Sequence, residues 1–160
     1  MGKLFYIMGK SASGKDTIYQ RLLRNPEFSL ERLVIYTTRP IRDGELDGRE
    51  YHFVTEEDFQ KLKAAGKIIE DRGYETVYGL WRYFTADNMD LEEKNYLGIG
   101  TLESYEKLKA YYGEEKIRPI YIEVEDGERL KRAIAREETQ EAPKYEENVP
   151  EIPGGCAGFQ

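Results

Sequence analysis

The chain has 160 residues, with 24 basic against 31 acidic side chains and a formal net charge of −7, and its sequence pI is near 5.0. That length suits one compact domain with a small insertion. The acidity argues against a general nucleic-acid binder, which needs a basic surface, and 13 Tyr, 6 Phe and 1 Trp argue against disorder. One cysteine, Cys156, and one histidine, His52, exclude a disulfide framework and a Cys/His metal cluster. No apolar run approaches the ~20 residues of a membrane span, and the start MGKLFYIMGK lacks a secretory apolar region. The expected setting is therefore cytoplasmic, and any phosphate ligand must be held by a local cluster of cations against the global charge.

In chain order, Lys3 to Met8 reads as a strand that runs at once into a glycine-rich turn. Thr17 to Arg24 places Ile18, Leu22 and Leu23 on one helical face. Leu33 to Thr37 reads as a second buried strand, residues 39 to 50 as a charged, glycine-punctuated loop, and Tyr51 to Val54 as a short strand. Thr55 to Asp58 forms a capping-box pattern opening a helix that Gly66 stops. Strands are expected at Ile68 to Arg72 and Val77 to Thr85, a short helix at Asp87 to Glu93, and a strand at Tyr96 to Ile99. A helix follows at Leu102 to Tyr112, then a strand at Ile117 to Val124 and a charged helix at Glu128 to Thr139. Strand–helix alternation in the outer thirds, around a strand-rich middle, predicts an α/β fold: a parallel sheet carrying an inserted antiparallel piece.

Gly9-x-x-x-x-Gly14-Lys15 lies between a predicted strand and a predicted helix, the context that a phosphate loop requires. Glycines permit the tight turn, successive backbone N–H groups point inward, and the helix N-terminus adds partial positive charge. Gly9, Ser11, Ser13, Gly14, Lys15, Asp16 and Thr17 are the candidate ATP-phosphate contacts, with Lys15 reaching the β- and γ-phosphates. The plainer alternative is a glycine turn with a surface lysine. Asp16 stands where a hydroxyl would face Mg²⁺, and Thr17 offers one a position later. Asp16 either sits near the metal or is simply a favourable charge in the first helical turn.

In TTRPIRDGELDGREYHFV, residues 37 to 54, two guanidinium forks at Arg39 and Arg42 and the phenol of Tyr51 suit a phosphate-monoester clamp; a solvated charged loop is the alternative. This stretch resembles the substrate loop of guanylate kinases, matching at Thr37, Thr38, Arg39, Arg42, Gly44, Glu45, Gly48, Glu50, Tyr51, Phe53 and Val54, with the proline one place early. With the phosphate loop and later segments, the similarity covers about residues 3 to 145. It implies a three-layer P-loop parallel core, an inserted mixed or antiparallel acceptor domain, a mobile lid, and Mg²⁺-assisted phosphoryl transfer from ATP to GMP or dGMP. With that resemblance, the expected division is a core of residues 1–35 and 96–125, an insertion at 36–95, a lid helix region at 126–148 and an atypical tail at 149–160. Carried over, Arg39, Arg42, Tyr51 and Tyr78 would hold the acceptor phosphate and Glu70 would read guanine, whose N1–H and amine are adjacent donors. Arg132 and Arg136, four apart on one helical face, would lean over the transferred phosphoryl group.

The chain departs from the family pattern in three places. Ile35-Tyr36 replaces the serine before Thr-Thr-Arg, Leu80 replaces the Ser or Thr after Tyr-Gly, and Gly98 and Gly100 replace two carboxylates expected near Mg²⁺ and the acceptor. Two rivals follow: a binding module of this fold that has lost turnover, and a kinase of the same fold with another phosphorylated acceptor. The tail from Val149 to Gln160 has five Pro or Gly in twelve residues and does not read as lid. Permitted codons for Asn148 onward, read one frame over, give Met-Cys-Arg-Arg-Phe-Leu-Ala-Asp-Ala-Gln-Asp-Phe, an amphipathic string with an arginine pair. The tail is therefore expected to be an out-of-frame extension of a longer kinase, leaving Cys156 without a role.

Overall fold

The structure of the chain, a computed structural model, describes residues 1–139. The expectations for the tail, Cys156 and the last residues of the lid region lie outside the described residues. Strands β1 (Leu4–Gly9), β2 (Leu30–Arg32), β7 (Asn95–Ile99) and β8 (Ile117–Ile122) form one parallel sheet in the order β2-β7-β1-β8. A parallel strand buried on both faces must be apolar throughout, and β1 satisfies this with LFYIMG. Leu4, Tyr6 and Met8 pack with Leu33, Leu91, Tyr105, Leu108 and Ile117 on one face. Ile7 packs with Tyr19 and Leu97 on the other. Helix α1 (Lys15–Arg24) supplies Tyr19 and α3 (Leu102–Tyr112) supplies Tyr105 and Leu108, so the sheet is a middle layer between helices.

A second, mixed sheet has the order β4-β3-β6-β5, from β3 (Tyr36–Thr37), β4 (His52–Phe53), β5 (Ile68–Thr76) and β6 (Gly79–Ala86). Helix α2 (Glu56–Ala64) begins with the expected capping box between Thr55 and Asp58 and covers one face of this sheet. Its Phe59 is fully buried against Phe84, ring centroids 5.0 Å apart. Helix α4 (Asp126–Thr139) closes the described chain.

Two expected elements differ. Leu33 to Thr37 is not one strand. The Leu33 N–H bonds the Leu97 carbonyl at the first sheet's edge, whereas Ile35 and Thr37 accept bonds from His52 and Val54 in the second sheet. The chain crosses between sheets inside an apolar run, which periodicity alone cannot divide. Asp87 to Glu93 is bend and turn rather than helix. Its groups are committed elsewhere: Leu91 is buried in the core and its carbonyl accepts from Gly2, while the Asp87 carboxylate accepts from Tyr111 and Tyr112. Tertiary partners override local propensity there.

Two packing features shape how the sheets meet. A bulge in β5 leaves Ile69 unpaired between Ile68, opposite Ala86, and Glu70, opposite Thr85. Ile68 packs on the Phe59 core and Ile69 on the first sheet's core, so the bulge stitches the sheets together and aims Glu70 at Thr85. On β1, Tyr6 lies opposite Gly98 of β7. A Cβ at Gly98 would meet the Tyr6 ring at 2.6 Å, and one at Gly100 would meet its hydroxyl at 2.1 Å. The Tyr6 hydroxyl is buried and hydrogen-bonds Ser104 Oγ at 2.8 Å. The two glycines therefore make room for an aromatic ring.

Phe59→Ala should destabilise the chain by about 3–5 kcal/mol in urea unfolding, the usual loss for a buried phenylalanine. Gly100→Ala should cost about 1–3 kcal/mol by overpacking. In a Tyr6→Phe background, where the colliding oxygen is gone, Gly100→Ala should cost less by at least about 0.5 kcal/mol, and strict additivity in that double-mutant cycle would contradict the packing account.

Candidate active site

The turn between β1 and α1 has the geometry of an anion cradle. Ala12 (φ 60°) and Gly14 (φ 84°) adopt left-handed conformations. Gly14 caps α1 with no side-chain bond, leaving the first-turn N–H groups open to an anion. A Cβ at Gly9 would lie 2.8 Å from both the Ile122 carbonyl and Ser13 Oγ, so only glycine fits where β1 meets β8. Ser13 is buried beneath the loop, and its hydroxyl takes no partner in the structure. Lys15 opens α1 and pairs with no carboxylate among the described residues, while Asp16 and Thr17 stand exposed in the same turn. These last two are hard oxygen donors beside the cradle, the donor chemistry that Mg²⁺ takes together with phosphate oxygens and water. The space over Gly98 and Gly100 belongs to Tyr6 and supplies no metal ligand.

In the 37–54 loop, the Thr37 hydroxyl donates to the Arg82 carbonyl at 2.9 Å and accepts the Arg39 N–H at 3.1 Å, which sets the direction of the chain after β3. Arg39 is 4% exposed. Its Nη2 donates to Glu45 Oε1 at 2.7 Å and its Nη1 to the Pro40 carbonyl at 2.8 Å. The guanidinium packs near the Tyr51 and Phe53 rings at 5.6 and 5.5 Å. The other Glu45 oxygen accepts the Arg42 backbone N–H at 2.8 Å, so one carboxylate fixes both arginine positions. The Arg42 side chain stays exposed, without a carboxylate partner among the described residues. The Glu45 bond holds the Arg39 guanidinium above its ordinary value, and Arg39 together with the Arg42 N–H holds the Glu45 carboxyl below 4.5. Burial raises the Tyr51 phenol.

Residues directly opposite across antiparallel strands share a face. Glu70 with Thr85, Arg72 with Tyr83, and Tyr74 with Trp81 therefore line the face of the second sheet away from α2. Glu70 is 5% exposed; its Oε1 accepts from Thr85 Oγ1 at 2.9 Å and its Oε2 lies 3.5 Å from Arg72 Nε. The ring of Tyr83 sits between Tyr51 (5.6 Å) and Tyr74 (5.8 Å), giving an aromatic wall beside Arg39. Tyr78 is not brought to this cluster. It occupies the two-residue tip of the β5–β6 hairpin, 81% exposed and stacked on Trp81. The hairpin register puts Tyr83 against Tyr51, while Tyr78 projects from the hairpin tip.

Helix α4 docks on the phosphate loop through its first turns. Asp126 pairs with Lys10 at 3.2 Å and with Arg129, whose Nη1 donates to the Ser11 carbonyl at 2.9 Å. These cations hold the Asp126 carboxyl below its ordinary value. Arg132 reaches over the loop, its Nη1 3.8 Å from where a Gly14 Cβ would be. Arg136 lies a turn further along, exposed. The reading of the sequence missed Arg129, whose only local signal is its i+3 spacing from Asp126. It also passed over Arg72, which alternation from Glu70 along β5 places on the same face, and Tyr83, which only the hairpin pairing sets opposite Arg72.

The Glu45 carboxyl is depressed in the folded protein, so its contribution to stability is complete above about 4.5 and is lost as pH falls through the lower folded value. Acid unfolding followed by Trp81 fluorescence should show wild type more stable than Glu45→Gln at neutral pH, the two curves converging below that range. A difference independent of pH would contradict an ionised Glu45 holding Arg39.

Comparisons with known proteins place this geometry. The guanylate kinase family profile matches residues 1–152. The guanylate kinase of the Wolbachia of Brugia malayi is 31% identical over 155 residues, covering 94% of this chain and 76% of that protein. That of Porphyromonas gingivalis is 30% identical over 153 residues, covering 93% and 79%. The crystal structure of guanylate kinase from Anaplasma phagocytophilum shares the fold at a TM-score of 0.58 and 24% identity, covering 83% of this chain and 65% of the solved one. A profile match across nearly the whole length, joined to relatives aligned over most of theirs, makes this chain a member of the guanylate kinase family.

Proposed function

We propose that the chain transfers the γ-phosphoryl group of ATP to GMP or dGMP, giving ADP and GDP or dGDP. One observation carries the reading: β1, the strand that ends in the phosphate loop, also carries Tyr6, which lies within electrostatic reach of Glu70 and Arg72 on the acceptor face. That supports a donor cradle and a base-reading carboxylate serving one cleft. In the reaction, an ionised oxygen of the acceptor phosphate forms a bond to the γ-phosphorus while the bond to the β,γ-bridging oxygen breaks, so no side chain has to act as a strong base.

The residues divide the work of binding, positioning and charge neutralisation. Gly9, Ser11, Ser13, Gly14 and the first turn of α1 hold the donor phosphates, and Lys15 neutralises charge on the β- and γ-oxygens. Arg39, of whose five N–H donors two are spent on Glu45 and Pro40, keeps three for the acceptor phosphate. Arg42 and Tyr51 complete that clamp beside the Tyr83 ring, with Tyr78 on the hairpin tip as its second phenol. Glu70 accepts from guanine N1–H and its amine. Arg132 and Arg136 close over the transferred group. Mg²⁺ would be held by Thr17 or Asp16 with phosphate oxygens and water, and would supply further charge neutralisation. Residues 36–95 serve as the acceptor-binding insertion and 126–148 as the lid.

The test offers ATP and Mg²⁺ with GMP, dGMP, AMP, UMP and CMP, measuring ADP release and acceptor binding together. Turnover is expected with the guanine nucleotides, and Lys15→Ala should lower it by at least about 10³-fold, the scale on which single charge-stabilising groups act in phosphoryl transfer. Turnover with another acceptor, or GMP binding without turnover, would overturn the reading.

A further inference from the structure

We infer that Arg72 is a specificity-determining residue that donates to the 6-keto oxygen of the acceptor base. This rests on the GMP reading above and extends it to a residue with no assigned role. Arg72 stands two positions after Glu70 on β5, on the same face of the hairpin. Its Nε lies 3.5 Å from Glu70 Oε2, yet it is buried and makes no hydrogen bond. The ion pair is therefore close but misaligned, and one guanidinium donor is desolvated without being used. The Nε itself is sealed from solvent, but the Arg72 side chain is 36% exposed, so the outer N–H groups of the fork are the ones a ligand acceptor can reach. Glu70 is fixed from the other side by Thr85 Oγ1, which occupies a site on Oε1 and leaves further lone pairs on both oxygens.

A carboxylate flanked by a free guanidinium donor specifies a ligand edge: two adjacent donors, then an acceptor. The Watson–Crick edge of guanine has this order, with the amine and N1–H for Glu70 and O6 for Arg72. Adenine places an amine where O6 would be and brings donor against donor, so the same arginine rejects it. Arg72 thus supplies polar base recognition from the acceptor sheet, in a cleft where Tyr6 occupies the space beside Gly98 and Gly100. The electrostatic influence of Arg72 on both Tyr6 and Tyr51 agrees with a position between the core strand and the phosphate clamp.

The test uses the full chain, Arg72→Met (which keeps an apolar stem) and Arg72→Lys (which keeps the charge but not the fork). Dissociation constants by calorimetry, and kcat/KM where turnover occurs, are measured for GMP, for 6-thio-GMP, whose sulfur is a poor acceptor at the same position, and for IMP, which lacks the amine. Wild type should prefer GMP to 6-thio-GMP by about tenfold, the worth of one hydrogen bond to a charged group. In Arg72→Met that ratio should fall to about one, through loss on GMP alone, with Arg72→Lys in between. The GMP-to-IMP ratio should stay unchanged, because the amine contact belongs to Glu70. Equal losses on GMP and 6-thio-GMP would assign Arg72 a merely structural role and overturn the inference, as would an unchanged ratio. Wild-type protein that binds no guanine nucleotide would instead overturn the functional reading beneath it.

Discussion

The ring of Tyr6 between β1 and β7 is the constraint around which the cleft is arranged. A parallel sheet sets β1 and β7 side by side with Tyr6 opposite Gly98, and the ring claims the space over two β7 positions. A carboxylate at Gly98 or Gly100 would have to share that space with a buried phenol tied to Ser104. The absence of acidic side chains there is a packing consequence of a large residue on the neighbouring strand. The charged groups on the elements around it include several cations: Lys15 on α1, Arg39 and Arg42 after β3, Arg72 on β5, and Arg132 on α4. Most carboxylates near these groups act as anchors. Glu45 fixes Arg39, Asp126 draws Lys10 and Arg129 together, and Glu56 pairs with Arg82 behind the sheet.

That division explains how an acidic chain presents a phosphate site. A buried guanidinium such as Arg39 needs a partner, or desolvation would outweigh any later attraction to substrate. Glu45 provides one while using a fraction of the five donors, and the Tyr51 and Phe53 rings complete its surroundings without adding charge. The arginine is pre-positioned, so little side-chain entropy remains to be lost when a phosphate arrives. The same logic holds at α4: Arg129 bonds the Ser11 carbonyl, which leaves Arg132 as the cation that reaches over the loop.

How much of this was legible in the sequence follows from the range of the interactions involved. The phosphate loop is set by residues within one turn of each other, as is the capping box of Thr55 and Asp58, and both stand where spacing put them. Helix α3 also stands where it was expected, with a capping box at Thr101 and Ser104 that the structure adds. Features decided by distant partners were not. Leu33 to Thr37 divides between sheets because Leu97 and His52 compete for its backbone. The place of Tyr83 against Tyr51 depends on a hairpin register that only the folded pairing shows. The meaning of Gly98 and Gly100 depends on a residue more than ninety positions earlier, and from the sequence alone those glycines read as lost ligands.

The bulge at Ile69 ties these threads together. Without it, alternation would carry Ile69 and Glu70 to opposite faces of a regular strand, and the first sheet's core would lose the contact that joins it to the hairpin. With it, one extra residue serves the core of the first sheet while the next turns toward Thr85 and the cleft. The placement of Glu70 is thereby coupled to the packing of β1, the strand that runs into the phosphate loop. A change in how Ile69 seats against that core would move Glu70 and Arg72 together relative to the donor site. The hairpin face and the strand that bears the phosphate loop are for that reason one mechanical unit, held by the apolar contact of Ile69.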